Sequence, residues 1–253
     1  MHLDRKFGEC KLCRQSKPLI KAHVLSDLLY DGLFAEGHWL ARVRFLKGTE
    51  QIVSTLPNGD YDRNILCNNC DGTILGQFET YASKIIRNEI EKAEPKNAGD
   101  FGKYISIPGV DYIKFKLFLL TQVWRASISK RPFFNNFNLG EHENIIREMI
   151  IKRDPGDETV YRTSIFKLSE SNTGPTRIVA PPRTFGERGN FQAIIIVNKF
   201  LFIYNLNSEP NPQADFMTIK INNTLNIVLL DGDSSLITIE KLIGRKLRFS
   251  DEG

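Results

Sequence analysis

The chain contains four cysteines, and they form two CxxC pairs, Cys10–Cys13 and Cys67–Cys70. Each pair can place two thiolates on one metal ion, and four thiolates complete the tetrahedral coordination that zinc prefers in proteins. We therefore expect Cys10, Cys13, Cys67 and Cys70 to bind one structural Zn²⁺ ion. Whether the site also carries chemistry stays open here, because a purely structural zinc has the same four ligands.

The first cysteine pair lies in a short knuckle, and the second opens a stretch with helical periodicity. This order is the outline of a treble clef, a zinc module that often presents groups to nucleic acid, and we assign it to residues 1–95. Helical periodicity continues in the next region, 96–155. From residue 159 the hydrophobic period changes to two, which predicts a β-rich region over 156–253. The expected fold class is α+β, with a treble-clef zinc module, a helical middle and a C-terminal antiparallel sheet.

Individual elements can be predicted within these regions. Helices are expected over residues 69–93, 111–129 and 141–152, with Asp111 as the cap of the second. Asn198-Lys199 has the composition of a tight hairpin turn. The C-terminal strands are expected around Tyr161–Leu168, Thr176–Ala180, Phe191–Val197, Phe200–Tyr204, Phe216–Ile221 and Leu225–Leu230.

Composition places the chain among ordinary globular proteins. Its 253 residues are 41% apolar and 25% charged, which allows a hydrophobic core without disulfides. The most apolar runs, Leu117–Leu120 and Ala193–Val197, are too short to span a membrane. No apolar segment follows the first six residues, so we expect no secretory signal. Paired thiols without a signal favour metal binding over disulfides, and the cytoplasm as the location.

The net charge of +4 is concentrated at the N-terminus. Residues 1–23 contain six basic and two acidic side chains, so they account for the whole excess. Basic residues near a zinc knuckle suit the phosphate backbone of nucleic acid, with DNA the expected partner. A basic surface that is simply solvated remains the alternative. The candidate nucleic-acid contacts are Arg5, Lys6, Lys11, Arg14, Lys17 and Lys21, with Arg42 and Arg44 on one strand face.

One histidine has a notable position relative to the cysteines. His23 lies in Lys21-Ala22-His23-Val24-Leu25, ten residues after Cys13, and Ile65-Leu66 precede the second pair. This pattern resembles the zinc-containing branch of the HNH-like (ββα-metal) endonucleases. Further residues resemble a prokaryotic subgroup of that family, and the resemblance covers about residues 10–150. They are Asn58-Gly59-Asp60-Tyr61-Asp62, Glu79-Thr80-Tyr81-Ala82, and the segment from Lys116 to Ser127.

The resemblance implies three catalytic candidates. His23 would be the general base that activates water, and Asp62 would orient it. Asp71 would stand where a helix residue binds a catalytic Mg²⁺ or Mn²⁺ ion. The chain departs from the family at Ala22, where active members commonly have His or Asp. Glu79 lies about 12 Å along an ideal helix axis from Asp71, too far to share an ion without changed geometry.

Two classes of function follow from these features. The first is an HNH-like, metal-dependent nuclease or its DNA-binding descendant, and the resemblance implies a setting in prokaryotic defence or a mobile element. The second is a non-catalytic, zinc-stabilised module that docks onto protein partners through its β-rich half. Ala22 favours the second class, and the basic knuckle favours the first. No membrane partner is expected in either case.

Overall fold

A computed structural model of the protein describes residues 7–31, 42–45, 51–54, 59–97, 99, 102–168, 178–186, 191–207 and 215–230. For residues 42–45, 51–54 and 178 it describes the backbone alone. The α-helices in this part of the chain are α1 (Gly76–Lys84), α2 (Tyr112–Ile128) and α3 (His142–Lys152). π-Helical segments over Asn69–Leu75 and Ile85–Ile90 extend α1 at both ends, and Asp27–Tyr30 forms a short 3-10 helix. The strands are β1 (Phe7–Glu9), β2 (Ser16–Pro18), β3 (Ala22–His23), β4 (Arg42–Phe45), β5 (Gln51–Ser54), β6 (Tyr61–Asp62), β7 (Lys96–Asn97), β8 (Lys103–Ile107), β9 (Thr163–Leu168), β10 (Ile178–Phe185), β11 (Gln192–Asn198), β12 (Phe200–Asn205) and β13 (Leu225–Leu230).

Nine of these strands form one sheet in the order β5-β4-β10-β11-β12-β9-β13-β8-β7. Its pairs are antiparallel except β4–β10 and β9–β13, which are parallel. Two small antiparallel sheets, β1–β2 and β3–β6, lie apart from it. The expected mixture of helices with an antiparallel-rich sheet is therefore confirmed within the described residues.

The sheet includes strands from all three regions of the chain. β4 and β5 come from the N-terminal region, β7 and β8 from the middle, and the others from the C-terminal region. Buried side chains from the three regions also form one continuous hydrophobic core. The domain boundaries near residues 95 and 155 stay predictions, but the sheet and core cross both of them.

Helix α2 runs through the centre of this core. Asp111 caps it by accepting a hydrogen bond from the Lys114 backbone N–H at 3.0 Å, as its sequence predicts. From Phe115 to Ile128 every residue of α2 is buried, because the helix is apolar on nearly all sides. Gln122 accepts a bond from the backbone of Ser26 at 2.8 Å, and the Leu119 carbonyl accepts one from Tyr204. The helix thus connects the cysteine-bearing region with the sheet.

The hairpin of β11 and β12 has the predicted two-residue turn. Val197 pairs with Phe200, and Asn198 has a φ of 57°, a left-handed conformation that asparagine tolerates well. The strand predicted over Phe216–Ile221 is wrong. Only a single bridge, between Thr218 and Ser164, is found there. None of the helices in the described ranges has the length and apolar character needed to cross a bilayer.

Candidate metal centre and the neighbouring polar cluster

The first cysteine pair lies in the tight turn that joins β1 and β2. The Arg14 N–H donates to the Cys10 carbonyl at 2.7 Å, and the Cys10 N–H donates to Gln15 at 3.0 Å. Arg14 has a φ of 57°, so the chain reverses there through a left-handed residue. This turn projects the Cys10 and Cys13 side chains from the same end of the hairpin.

The second pair is brought to this turn by backbone hydrogen bonds between distant segments. The Lys11 N–H donates to Ile65 at 2.8 Å, and the Ile20 N–H donates to Leu66 at 2.9 Å. Cys67 forms an antiparallel bridge with Leu19. A helical segment begins immediately afterwards, with a π-helical stretch over Asn69–Leu75 that continues into α1. The knuckle and the start of this helix therefore face each other.

The four sulfur atoms lie within 4.8 Å of one another. Four sulfurs around a zinc ion at about 2.3 Å would be about 3.8 Å apart, so small shifts would complete a tetrahedron. Cys10, Cys67 and Cys70 are buried and Cys13 is partly exposed, as expected for a closed site at the base of a hairpin. The cluster could hold a metal ion such as zinc.

The thiols differ in their readiness to lose a proton. The pKa of Cys10 is lowered to about 4, because its sulfur accepts hydrogen bonds from the Cys70 thiol and from nearby backbone N–H groups. The pKa of Cys70 is raised, because its thiol donates that hydrogen bond and is buried. Burial also raises the pKa of Cys13. The hydrogen bonds to Cys10 thus favour its thiolate, which is the form that binds metal.

His23 lies on β3 opposite Tyr61 of β6, with their ring centroids 4.2 Å apart. The Lys21 ammonium lies 3.6 Å from the centroid of the Tyr61 ring. The His23 side chain is 28% exposed, and its Nε2 atom is 3.5 Å from Asp27 Oδ1. Burial lowers the pKa of His23, against the opposing effect of the Asp27 carboxylate. Burial thus favours the neutral imidazole, the state that a general base requires.

Asp71 and Glu79 meet at the guanidinium of Arg125, a residue of α2 whose side chain is 1% exposed. Nη1 of Arg125 lies 3.5 Å from Asp71 Oδ1, and Nη2 donates a hydrogen bond to Glu79 Oε1. Both carboxylates thus reach the same guanidinium although they lie eight residues apart in the sequence. The π-helical turns at the start of this helix contain more residues per turn than an α-helix, which shortens its rise. The long Glu79 and Arg125 side chains span the remaining distance.

The Asp62 carboxylate accepts hydrogen bonds from Asn64, Ser129 and Lys130. Its Oδ2 atom accepts hydrogen bonds from the Ser129 hydroxyl at 3.0 Å and the Lys130 N–H at 3.1 Å. Its Oδ1 atom accepts one from the Asn64 N–H at 2.9 Å. The buried carboxylate therefore joins β6 to the C-terminal end of α2. The orienting role that the resemblance implies for Asp62 stays a prediction, and the carboxylate at the His23 ring is that of Asp27.

The candidate nucleic-acid contacts are only partly described. Lys11, Arg14 and Lys21 are exposed near the knuckle, and Lys17 is half-buried. Lys11 lies 3.7 Å from Glu9, and Arg14 donates a hydrogen bond to Asn144 of α3. Arg5 and Lys6 lie outside the described residues, as do the side chains of Arg42 and Arg44. The structure thus brings three exposed cations to the side of the cysteine cluster.

Arg125 and Asp27 are functional candidates that the sequence alone does not single out. The signal for Arg125 is a permanent charge within a helix that is otherwise apolar on nearly all sides, where it requires a partner. The signal for Asp27 is its spacing of four residues from His23. The signal for Arg125 does not identify its partners, because those contacts depend on how separate segments pack.

Comparison with known proteins gives no relative from which to transfer a role. The chain matches no protein-family model, no curated protein and no solved structure. The geometry of the cysteine cluster and of the polar residues around His23 is therefore the basis for assigning a function.

Proposed function

We propose that the N-terminal region is a treble-clef zinc module of the HNH-like type, which binds nucleic acid and cleaves phosphodiester bonds. Zinc would be held by the four cysteines, and His23 would be the general base. The observation that supports this proposal is the position of the partly exposed His23 on β3, in the segment that follows the cysteine knuckle and next to the exposed Lys21. A prokaryotic defence system or a mobile element is the proposed setting, and it rests on the resemblance alone.

The residues around His23 suggest a division of roles. Asp27 Oδ1 lies 3.5 Å from Nε2, which forms no hydrogen bond within the described residues. The charge of this carboxylate would favour a proton on Nε2, which leaves Nδ1 to accept a proton from the attacking water. The water oxygen would form the new bond to phosphorus as the bond to the leaving oxygen breaks, and that oxygen would take a proton from solvent. Lys21, beside the Tyr61 ring, would bind a non-bridging phosphate oxygen.

A catalytic Mg²⁺ or Mn²⁺ does not fit the residues present. Ala22 has no ligand atom at the position where the family commonly has one. The Asp71 and Glu79 carboxylates are paired with Arg125 and therefore not free to bind an ion. We accordingly assign no step of the reaction to a divalent ion.

A cleavage assay with matched histidine variants tests the proposal. Plasmid DNA and single-stranded RNA would be incubated with the wild-type protein, with His23→Ala and with His142→Ala. His142 is a suitable control because it is also half-buried, but its ring bonds to the Tyr161 hydroxyl. We expect His23→Ala to reduce cleavage about 10²–10⁴-fold with zinc content and melting temperature unchanged. Equal activity in all three proteins would contradict the proposal.

A protein-docking function is the second candidate, and a separate observation favours it. A cavity of about 710 Å³ lies between the start of α2, residues 154–157 and residues 221–223. Ile113 and Ile221 line it and are exposed, and Asp154 and Asp157 lie beside them. This surface would suit a partner segment that carries apolar and basic side chains. Absence of nucleic-acid binding and cleavage, together with a loss of stability in His23→Ala, would favour this candidate.

A further inference from the structure

The cavity at the start of α2 has walls that are joined by hydrogen bonds. The Tyr112 hydroxyl donates to the Gly156 carbonyl at 2.8 Å, which joins α2 to the 154–157 segment. The Val110 N–H donates to the Asn223 carbonyl at 2.9 Å, which joins the residues before α2 to the 221–223 segment. Pockets for small ligands are largely preformed and have volumes of about 300–1,000 Å³. At about 710 Å³, this cavity falls within that range.

The wall of the cavity carries more negative than positive charge. The carboxylates of Asp111, Asp154 and Asp157 line it, and no lysine or arginine is among the described residues that do. Asp111 is paired with Lys114 at 2.8 Å. Asp154 and Asp157 each use Oδ1 to accept a backbone N–H from two residues further on, and neither forms an ion pair within the described part of the chain. These two carboxylates therefore attract a cation.

Lys116 does not cancel this charge. Its side chain is almost completely buried, and its ammonium donates to the Tyr112 hydroxyl and to the Asp157 carbonyl behind the wall. Burial lowers the pKa of Lys116 to about 7, against the opposing charges of Asp157 and Glu158. Above pH 7 its amine is therefore mostly neutral, and the cavity stays acidic.

Two exposed apolar side chains complete the wall. Ile113 is 49% exposed and Ile221 is 64% exposed, and both line the cavity. Apolar surface next to uncompensated carboxylates suits a ligand that has a positive head and an apolar stem. Two isoleucines supply only a small part of the roughly 800 Å² that each partner buries in a stable protein complex, which favours a small ligand as the occupant.

We propose that this cavity binds a small organic cation, a protonated amine on an apolar stem. The ammonium group binds to the Asp154 and Asp157 carboxylates, and the stem packs on Ile113 and Ile221. The inference uses the same surface as the protein-docking candidate, but it requires no partner protein. It is also independent of the proposed nuclease, because neither His23 nor the cysteines line the cavity.

Three probes that share an aromatic stem test the requirement for positive charge. The probes 2-phenylethylamine, 2-phenylethanol and 3-phenylpropanoate would be titrated separately into the purified chain at about pH 8, with binding followed by NMR. At that pH the first is a cation, the second is neutral and the third is an anion. Because hydrogen bonds between charged groups are the stronger ones, we expect the amine to bind at least about tenfold more tightly than the alcohol, and the acid not to bind.

Matched carboxylate variants locate the binding of the amine. Asp154→Asn and Asp157→Asn each remove one negative charge, but they keep an amide oxygen that can accept the same backbone N–H. Each should weaken binding of the amine about tenfold and leave binding of the alcohol unchanged. Glu89→Gln removes an exposed carboxylate from the π-helical segment after α1, and it should change neither affinity.

Isoleucine variants test the apolar wall. Ile113→Ser and Ile221→Ser should weaken binding of the amine and of the alcohol severalfold, because both stems lose apolar contact. Ile145→Ser changes an isoleucine of α3 that is 45% exposed, and it should leave both affinities unchanged. Every substituted side chain is exposed, so the melting temperatures of all variants should stay close to that of the wild type.

Several outcomes would overturn the proposal. These are absence of amine binding, equal binding of the amine and the alcohol, and amine binding that is undiminished in both asparagine variants. Tighter binding of the acid would replace the cation site with an anion site built on Lys116. A dimer found by sedimentation velocity in the wild type and lost in Ile221→Ser would assign the surface to a second copy of the chain instead. Should one asparagine variant fail to fold, the same comparison in the other decides.

Discussion

The backbone N–H of Cys67 donates a hydrogen bond to the Sγ atom of Cys10 at 3.4 Å, which joins the two CxxC pairs across the intervening strands. An N–H donor of this kind stabilises a thiolate, and it helps to lower the pKa of Cys10. The bond also sets how the start of the helix approaches the knuckle. The backbone thus contributes to the arrangement of the four sulfur atoms independently of a bound ion.

Replacing Cys67 with serine should destabilise the N-terminal region. Zinc–thiolate bonds contribute folding energy directly, on the order of 10 kcal/mol for a complete structural site, so loss of one ligand should cause unfolding or aggregation. The measurement is zinc content together with the melting temperature. Asn69→Ala, an exposed position between the two cysteines, is the control and should resemble the wild type. Normal zinc content and stability in Cys67→Ser would contradict the assignment.

Lys116 should make the stability of the protein depend on pH. Its ammonium is buried in α2 and bonded to the Tyr112 hydroxyl and the Asp157 carbonyl. Burial lowers its pKa to about 7, against the opposing charges of Asp157 and Glu158. Between pH 7 and 10 the unfolded chain therefore binds more protons than the folded one, and the free energy of unfolding should rise with pH. We expect a rise on the order of 3 kcal/mol in urea denaturation.

Two variants assign this pH dependence to Lys116. Lys116→Met should flatten the rise, because methionine carries no proton in either state. Lys114→Met, which changes an exposed lysine on the same helix, should leave the slope unchanged. The raised pKa of Tyr112 acts only above pH 10, where it lowers stability, so it does not imitate the effect. An undiminished slope in Lys116→Met would refute the prediction.

Asp62 should behave as a structural anchor between β6 and α2. Asp62→Asn places an amide donor against groups that already donate, so we expect a loss of about 1–3 kcal/mol in the free energy of unfolding. Ser129→Ala removes one of the partners and should cost less. Because the two residues share a hydrogen bond, the double variant should lose less stability than the sum of the single losses. Additive losses would show that Asp62 and Ser129 act independently.

Nucleic-acid binding should depend on the exposed cations near the knuckle. Neutralising Lys11, Arg14 and Lys21 together should flatten the plot of log affinity against log salt, by close to one unit for each phosphate that is no longer neutralised. A control variant with the same change in charge neutralises three exposed lysines elsewhere, Lys96, Lys103 and Lys152. Fluorescence anisotropy with a DNA duplex gives both slopes. An equal slope in the knuckle variant and the wild type would show that nucleic acid does not bind to the surface formed by these three residues.

The sequence was sufficient to predict features that depend on short spacings. Each CxxC pair is recognised from four consecutive residues. Asp111 caps α2 by accepting a hydrogen bond from the backbone N–H of Lys114, three residues away. The contacts of Arg125 could not be predicted in this way. Arg125 is 54 residues from Asp71 and 46 residues from Glu79, and its position depends on how α2 packs on the π-helical segment.

The segment Phe216–Ile221 shows why periodicity alone misled the strand prediction. Its alternation resembles that of a strand, but Phe216 packs against Tyr104 with a centroid distance of 5.1 Å, and Ile219 is buried while Ile221 is exposed. Thr218 and Ile219, which are neighbours in the sequence, are both buried, so the side chains of this segment do not alternate between two faces. The hydrophobic pattern therefore predicted neither the backbone pairing nor the burial of Ile221 correctly.

X-ray absorption spectroscopy at the zinc edge tests the central claim, that Cys10, Cys13, Cys67 and Cys70 together bind one zinc ion. The protein would be purified without chelators, and its metal content would be measured on the same sample. We predict one zinc per chain with four sulfur neighbours at about 2.3 Å. Nitrogen or oxygen neighbours at about 2.0–2.1 Å in place of sulfur, or less than about half an equivalent of zinc, would contradict the claim.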